Sequence, residues 1–326
     1  MRFHVLIPFG FLLLVARLSA QEVGGGAAAF LRGEASPQRV ALADAGVVTD
    51  DANMTLFGGS AILSRLRNST VAVGVGTSPF GFGVAYAGFG LPLAEQAGVG
   101  LTVMSHSTGL MRAFDEDEVE RGSFEARDLA IALRGGLGIG PGSIGATVRY
   151  LDGTTTGVEK AGYTGYTLDL SGALAVGNGR FSLDLENIAG EIAGQGDGRR
   201  IVVPWRTAFA GAWLFPFEER TEETRDPATG IPASSVTKRS YVAVAGTVSI
   251  DADDRGPTVG AGAEYAPLPD LPVQLRLGAA TSGDAAFGLS VALPVDLARG
   301  NRIAATVRRD GTLGSLSYHL MLAIEL

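Results

Sequence analysis

Leu316-Ser317-Tyr318-His319-Leu320-Met321-Leu322-Ala323-Ile324-Glu325-Leu326 is the stretch whose reading decides the fold. Leu316, Tyr318, Leu320, Leu322, Ile324 and Leu326 share one parity, while Ser317, His319, Met321, Ala323 and Glu325 share the other. Side chains of a strand alternate between its two faces, so this strand has one apolar face and one polar or small face. The same period recurs upstream. Leu271, Val273, Leu275, Leu277 and Ala279 alternate with Gln274, Arg276 and Gly278, and Val242, Val244, Val248 and Ile250 repeat the scheme. About fourteen segments carry it, near 70–77, 80–88, 97–106, 126–134, 143–151, 163–176, 179–188, 204–215, 239–251, 257–266, 271–280, 284–294, 301–308 and 312–326.

Many of these have the roughly 9–11 residues that a tilted membrane strand needs. Turn signals such as Gly177-Asn178-Gly179 and Asp310-Gly311 separate them. In a soluble sandwich the second face would meet water and carry Lys, Glu or Arg. Here it is often Gly, Ala, Ser or Thr, which suits a lumen. The sequence therefore predicts an all-β fold, a transmembrane antiparallel β-barrel of about fourteen strands. The pattern runs to Leu326, as expected of a strand that closes such a barrel, with leucine where an aromatic usually stands.

Composition points the same way. Charged residues are 18% of the chain, below the approximate quarter usual in soluble domains. Glycine, at 47 residues, dilutes the polarity instead. No run beyond Gln21 is long and apolar enough for a helical span. The net charge of −8 argues against a nucleic-acid partner. With no cysteine, the chain has neither disulfides nor thiol chemistry. At the N-terminus, Arg2, an apolar run from Val5 to Val15 and a small Ala20 have the layout of a signal peptide. The expected organisation is a signal peptide over 1–20, an N-terminal segment over 21–68 and the barrel over 69–326, in the outer membrane of a Gram-negative-type bacterium.

Residues 36–68 lack the period of two and are the candidate hatch inside the barrel or against its rim. Ser36-Pro37 can open a short helix there. Asp50-Asp51 can cap a second one that runs toward Phe57 and ends at Gly58-Gly59. On the parity opposite the apolar one lie Arg149, Asp169, Asp184, Glu186, Gln274, Arg276, Arg302, Arg308 and Glu325. Those polar and charged groups are costly in hydrocarbon and acceptable in a lumen, where they can pair. Two loops are expected: an acidic one over 111–127, and the longest connector over 216–240. With a periplasmic N-terminus the second falls on the periplasmic side, where barrel turns are usually short.

The residues give little to catalysis, and the chain reads as a non-enzyme without cofactor or metal. Ser105-His106-Ser107 sets hydroxyls beside an imidazole, but neighbours on a strand point to opposite faces. Asp50-Asp51-Ala52-Asn53 lacks calcium-loop spacing. Gly135 to Gly140 lacks the lysine of a phosphate loop and reads as strand end and turn.

One resemblance adds to this. Phe30-Leu31-Arg32 after three alanines, the stretch from Arg39 to Gly46, and Asp50-Asp51-Ala52-Asn53 before Leu56-Phe57 resemble the opening signature of the PorV/PorQ family, within the FadL-like outer-membrane barrels. Where that family continues with Asn-Pro-Ala-Gly, this chain has Gly58-Gly59-Ser60-Ala61. The resemblance implies a fourteen-stranded FadL-like barrel with a short N-terminal helical hatch built on Phe30, Leu31, Arg32, Arg39, Gly46, Asp50, Asp51, Asn53 and Phe57. It implies outer-membrane lipid as surroundings, and secreted cargo or secretion-system proteins of a type IX-like system as partners. The alternatives are FadL-like transport of a small hydrophobic ligand, or a structural barrel without cargo.

Overall fold

Where the sequence alternates, the computed structural model has strands. It describes residues 37–42, 56–77, 82–114, 117–157, 161–195, 200–225, 232–252, 256–267, 273–281, 285–292, 301–309 and 315–326. The strands are β1 (Thr70–Thr77), β2 (Gly83–Ala94), β3 (Ala97–Ser107), β4 (Met111–Phe114), β5 (Glu120–Ile139), β6 (Gly142–Gly157), β7 (Ala161–Val176), β8 (Gly179–Gly194), β9 (Arg200–Val202), β10 (Arg206–Arg225), β11 (Pro232–Asp251), β12 (Thr258–Ala266), β13 (Val273–Ala280), β14 (Ala285–Ala292), β15 (Arg302–Arg309) and β16 (Leu316–Glu325). All belong to one sheet, in which β4 pairs only with β5 and β9 only with β8. The other fourteen form a ring of antiparallel neighbours. It closes through Thr70↔Glu325 to Gly76↔His319 between β1 and β16, and through Arg206↔Glu186 to Trp213↔Gly179 between β8 and β10. Among the described residues this is a closed fourteen-stranded antiparallel barrel.

Parity sorts its two surfaces as expected. Val75, Leu133, Val148, Leu277 and Leu320 are exposed on the outside, while Ala72, Ala132, Ala210, Ala304 and Ala323 are buried inside. Trp213, Phe215 and Phe217 line up outward toward the end that carries the β7–β8 turn, and the paired Tyr150 and Tyr166 stand outward nearer the other end. An aliphatic band between aromatic rows is the surface of a barrel in a membrane.

At one end lie the tight turns at 95–96, 140–141 and 177–178, together with Ser69 and Leu326, whose backbones are bonded at 2.8 Å. Gly140 and Gly177 take left-handed conformations in two of these turns, which a side chain would strain. At the far end β5 to β8 rise past the apolar band. There Thr154, Thr155 and Thr156 of β6 carry no apolar parity, because both faces of that wall meet water.

Two expected loops are strand instead. Most of the acidic stretch over 111–127 is the β4–β5 ribbon, with Met111↔Phe124 in register. The expected connector over 216–240 is the continuation of β10 and β11, which stay paired from Pro216↔Tyr241 out to Arg225↔Pro232. The wall's own partners stop at Trp213↔Gly179 and Tyr241↔Ala266, so this ribbon runs on past the barrel at the end of the tight turns. At about 3.3 Å per residue it projects on the order of 30 Å. A ribbon beyond the wall has no lipid face set against a lumen, so the alternation by which strands are recognised is lost.

Two pieces of the N-terminal segment lie in the lumen. Helix α1 (Pro37–Ala41) begins on proline, whose fixed φ suits a first helical turn. It packs on β13 to β16. A 3-10 helix (Ser60–Arg65), with Leu56 and Phe57 leading into it, packs on β2, β3 and β5 to β7. The helical turn at Leu56-Phe57 stops at Gly58-Gly59, as expected, and the 3-10 helix follows. The signal peptide and Phe30, Leu31, Arg32, Gly46, Asp50, Asp51 and Asn53 fall outside the described residues.

Leu320 is outward on β16, between Val75 and Ala305. Leu320→Arg is expected to lower the unfolding free energy in vesicles by about 2–4 kcal/mol, measured by denaturant titration. No loss would mean that this face does not meet lipid.

Candidate functional site

The lumen is prepared for the N-terminal segment by residues with no side chain to spare. A Cβ added at Gly98 would stand 2.3 Å from the Leu63 carbonyl oxygen, one at Gly136 2.5 Å from the Ser60 carbonyl oxygen, and one at Gly145 2.3 Å from the Ala61 nitrogen. On the opposite wall, a Cβ at Gly288 would meet the Ala41 Cβ at 2.4 Å. Polar bonds fix the seat. Ser171 Oγ accepts from the Ala61 amide at 2.7 Å and lies 2.9 Å from Ser60 Oγ, while Thr306 donates to the Pro37 carbonyl at 2.7 Å. The Arg134 guanidinium donates to the carbonyls of Leu56 and Gly58. Leu56, Leu63 and Leu66 pack with Tyr86, Met321 and Ala323 of β2 and β16. Phe57 meets the Tyr86 ring edge-on at 5.3 Å.

Between this segment and the wall of β3, β5 to β8 and β10 is a cavity of about 110 Å³. Phe57, Met104, Ala130 and Ala132 give it an apolar side. Its other side is charged: Arg39 of α1 with Arg134, Arg149 and Arg206 of the wall, facing Asp169, Asp184 and Glu186. Arg149 donates to Asp169 at 2.7 Å, to Thr167 at 3.1 Å and to Asn187 Oδ1 at 3.3 Å. Arg206 lies 3.6 Å from Glu186 and 3.5 Å from Asp251. The β7–β8 register shifts past Leu168, opposite Asn187, which has φ 55°. This left-handed residue, a conformation asparagine tolerates, turns its amide onto Asp169 at 2.8 Å and its side chain onto the Pro204 carbonyl at 3.1 Å.

The expected lumenal residues therefore divide. Arg149, Asp169, Asp184 and Glu186 meet at the cavity, where Arg39 and Phe57 join them. Gln274, Arg276 and Arg302 form a second network with Glu264 and Tyr241 on the other side of the lumen. There Arg276 donates to Glu264 and to Gln274 at 2.8 Å, and Arg302 donates to Gln274 at 2.6 Å. The Tyr241 hydroxyl donates to Glu264 and accepts from Gln274 at 3.1 Å. Arg276 and Glu264 are almost wholly buried, so removing either leaves a charge without its partner. Arg308 sits on β15, opposite Ser317 of β16. Glu325 lies at the rim, accepting from Asn68 at 3.1 Å.

Arg134, Arg206 and Glu264 were not singled out from sequence, although each shares parity with buried neighbours such as Ala132, Ala208 and Ala266. Asn187 carries no such signal, because its role comes from the register shift. His106 lies 3.6 Å from Asp128, which also accepts from the Tyr163 hydroxyl at 2.7 Å, whereas Ser107 bonds Glu125 at 3.0 Å. No serine is held against an imidazole here, and among the described residues no group of acidic or imidazole side chains could hold a metal. The arrangement can enclose a small molecule.

No family model matches the chain, and no curated protein matches it either. Solved structures do. A crystal structure of the Pseudomonas putida toluene transporter TodX aligns over 88% of this chain and 98% of its own, with a TM-score of 0.54 and 11% identity. A second aligns over 89% and 96%, at 0.52 and 10% identity. A TodX deletion mutant described as a monoaromatic hydrocarbon channel aligns over 89% and 97%, at 0.51 and 11% identity. The likeness is one of fold: a closed antiparallel β-barrel.

Arg134→Gln withdraws charge-assisted bonds from two carbonyls, worth about 1.5–3 kcal/mol each. Hydrogen exchange at Ile62 and Leu66 is expected to speed by at least about tenfold, with the wall strands unchanged. Unchanged exchange would mean that Arg134 does not hold the segment.

Proposed function

We propose that this chain is an outer-membrane channel for small, largely hydrophobic molecules, with the lumenal pieces over 37–42 and 56–66 as the hatch that closes its lumen. One observation carries the reading. Met104 belongs to three apolar surroundings at once: the far-end cluster of Leu151, Ile192 and Val203, the wall of the cavity, and the cluster around Leu56 and Tyr86. These make a run of packed apolar side chains from the far end of the barrel to the hatch, with the cavity beside it. Its lining suits a small molecule, as pockets for such ligands combine apolar walls with a few placed polar groups. The likeness in fold to a toluene transporter supports the same substrate range.

The test is uptake of radiolabelled toluene by cells with and without the barrel. Faster uptake with the barrel, abolished by Met104→Asp at equal folded amounts, is expected. Uptake that ignores either the barrel or Met104 contradicts it.

A second reading, binding of secreted cargo proteins in the manner of PorV/PorQ relatives, has one observation in its favour. Leu110, Met111, Phe114 and Val119 are exposed around the β4–β5 ribbon at the far end. A tagged barrel drawn from native membranes should then recover secreted proteins, and the Leu110→Ser, Phe114→Ser pair should lose them. Recovery without proteins leaves the channel reading alone.

A further inference from the structure

Neither the barrel nor its hatch uses the β10–β11 ribbon. Within the wall, β8 pairs with the outer edge of β10 as far as Trp213, and β12 with that of β11 from Tyr241 on. Beyond Pro216 and Tyr241 the two strands pair only with each other, out to Arg225↔Pro232. Among the described residues, both outer edges of the ribbon therefore present rows of backbone N–H and C=O without a neighbouring strand. A two-stranded ribbon alone is marginal in water, and a bare edge is a template for another strand.

The two edges differ in charge. From Glu218 to Arg225, β10 carries four glutamates and two arginines, whereas β11 from Pro232 to Ser240 carries Lys238 and Arg239 and no acid. Opposite charges on neighbouring strands stabilise a pairing, and like charges oppose it. The β10 edge thus selects a basic strand and the β11 edge an acidic one, which is what another copy of this ribbon supplies. Direction agrees. Copies in one membrane project their ribbons from the same side. β10 of one copy, running away from the barrel, is then antiparallel to β11 of the next, running back. Contacts of like with like would be parallel and of one charge.

The outer wall at the root of the ribbon points the same way. β10 carries four outward aromatics, Phe209, Trp213, Phe215 and Phe217, more than any other described strand. They follow one strand for about 26 Å, at roughly 3.3 Å per residue. A membrane girdle takes its aromatics from successive strands at one depth. A column of them along one strand is the composition of a protein–protein interface.

We propose that copies of this barrel assemble through their ribbons, the acidic β10 edge of one adding to the basic β11 edge of the next. The β10 walls then turn toward a common axis, and their aromatic columns meet around it. Because the contact joins two different edges, a dimer leaves two edges bare and only a ring of more copies closes.

The test is sedimentation equilibrium of the purified full-length barrel in detergent micelles. An oligomer larger than a dimer is expected. Replacing residues 219–239 by Asn-Gly joins the paired Glu218 and Ser240 through a two-residue turn and removes the edges. That variant is expected to sediment as a monomer. The pair Lys238→Glu, Arg239→Glu keeps the ribbon's length but makes both edges acidic, and the same loss of assembly is expected. A full-length monomer or dimer overturns the proposal and leaves the edges to a strand of another protein. An oligomer that persists in either variant overturns it too.

Discussion

Every backbone N–H and C=O inside hydrocarbon must find a partner in the protein, and here that need is met by closing the sheet. The β1–β16 and β8–β10 pairings complete the ring, and the rest of the structure follows from its circumference. Fourteen strands enclose more space than alanine, glycine and serine side chains can fill. A void would forfeit packing, so the chain fills it with its own N-terminal segment. Glycines at 98, 136, 145 and 288 are best understood from that requirement, since each is where hatch backbone or a hatch methyl comes too close for a Cβ.

The same closure decides where charge goes. Ionised groups excluded from the lipid face gather in the lumen and must pair there. They do so as two separate groups. The network of Arg276, Glu264, Gln274, Tyr241 and Arg302 is bonded through the strands of one wall and braces it beside α1. The group around Arg149 and Asp169 is arranged around open space and reaches the hatch through Arg134. Bracing and open space are thus divided between opposite sides of one lumen.

Much of this was legible in the sequence. The period of two placed all fourteen ring strands, because lipid outside and a lumen inside give each strand two unlike faces. It also placed Arg149, Asp169, Asp184 and Glu186 on one inward surface. The pattern failed where that contrast disappears. In the β10–β11 ribbon and the upper part of β5 to β8, no lipid face is set against a lumen and strands read as loops. Within the hatch, the 3-10 helix over 60–65 is set by close contact with Gly98, Gly136 and Gly145, which no local propensity announces. Asn187 was likewise silent, its place at the cavity being set by pairing between β7 and β8 rather than by its neighbours in sequence.

The central claim is that the hatch sits inside the barrel on the β7 wall. Since the chain has no cysteine, one introduced pair can report on it without background. Ser60 and Ser171 touch through their hydroxyls at 2.9 Å. The double variant Ser60→Cys, Ser171→Cys, oxidised in intact outer membranes and followed by gel mobility, should cross-link nearly completely in the folded barrel. A folded barrel that leaves the two thiols free would contradict the account.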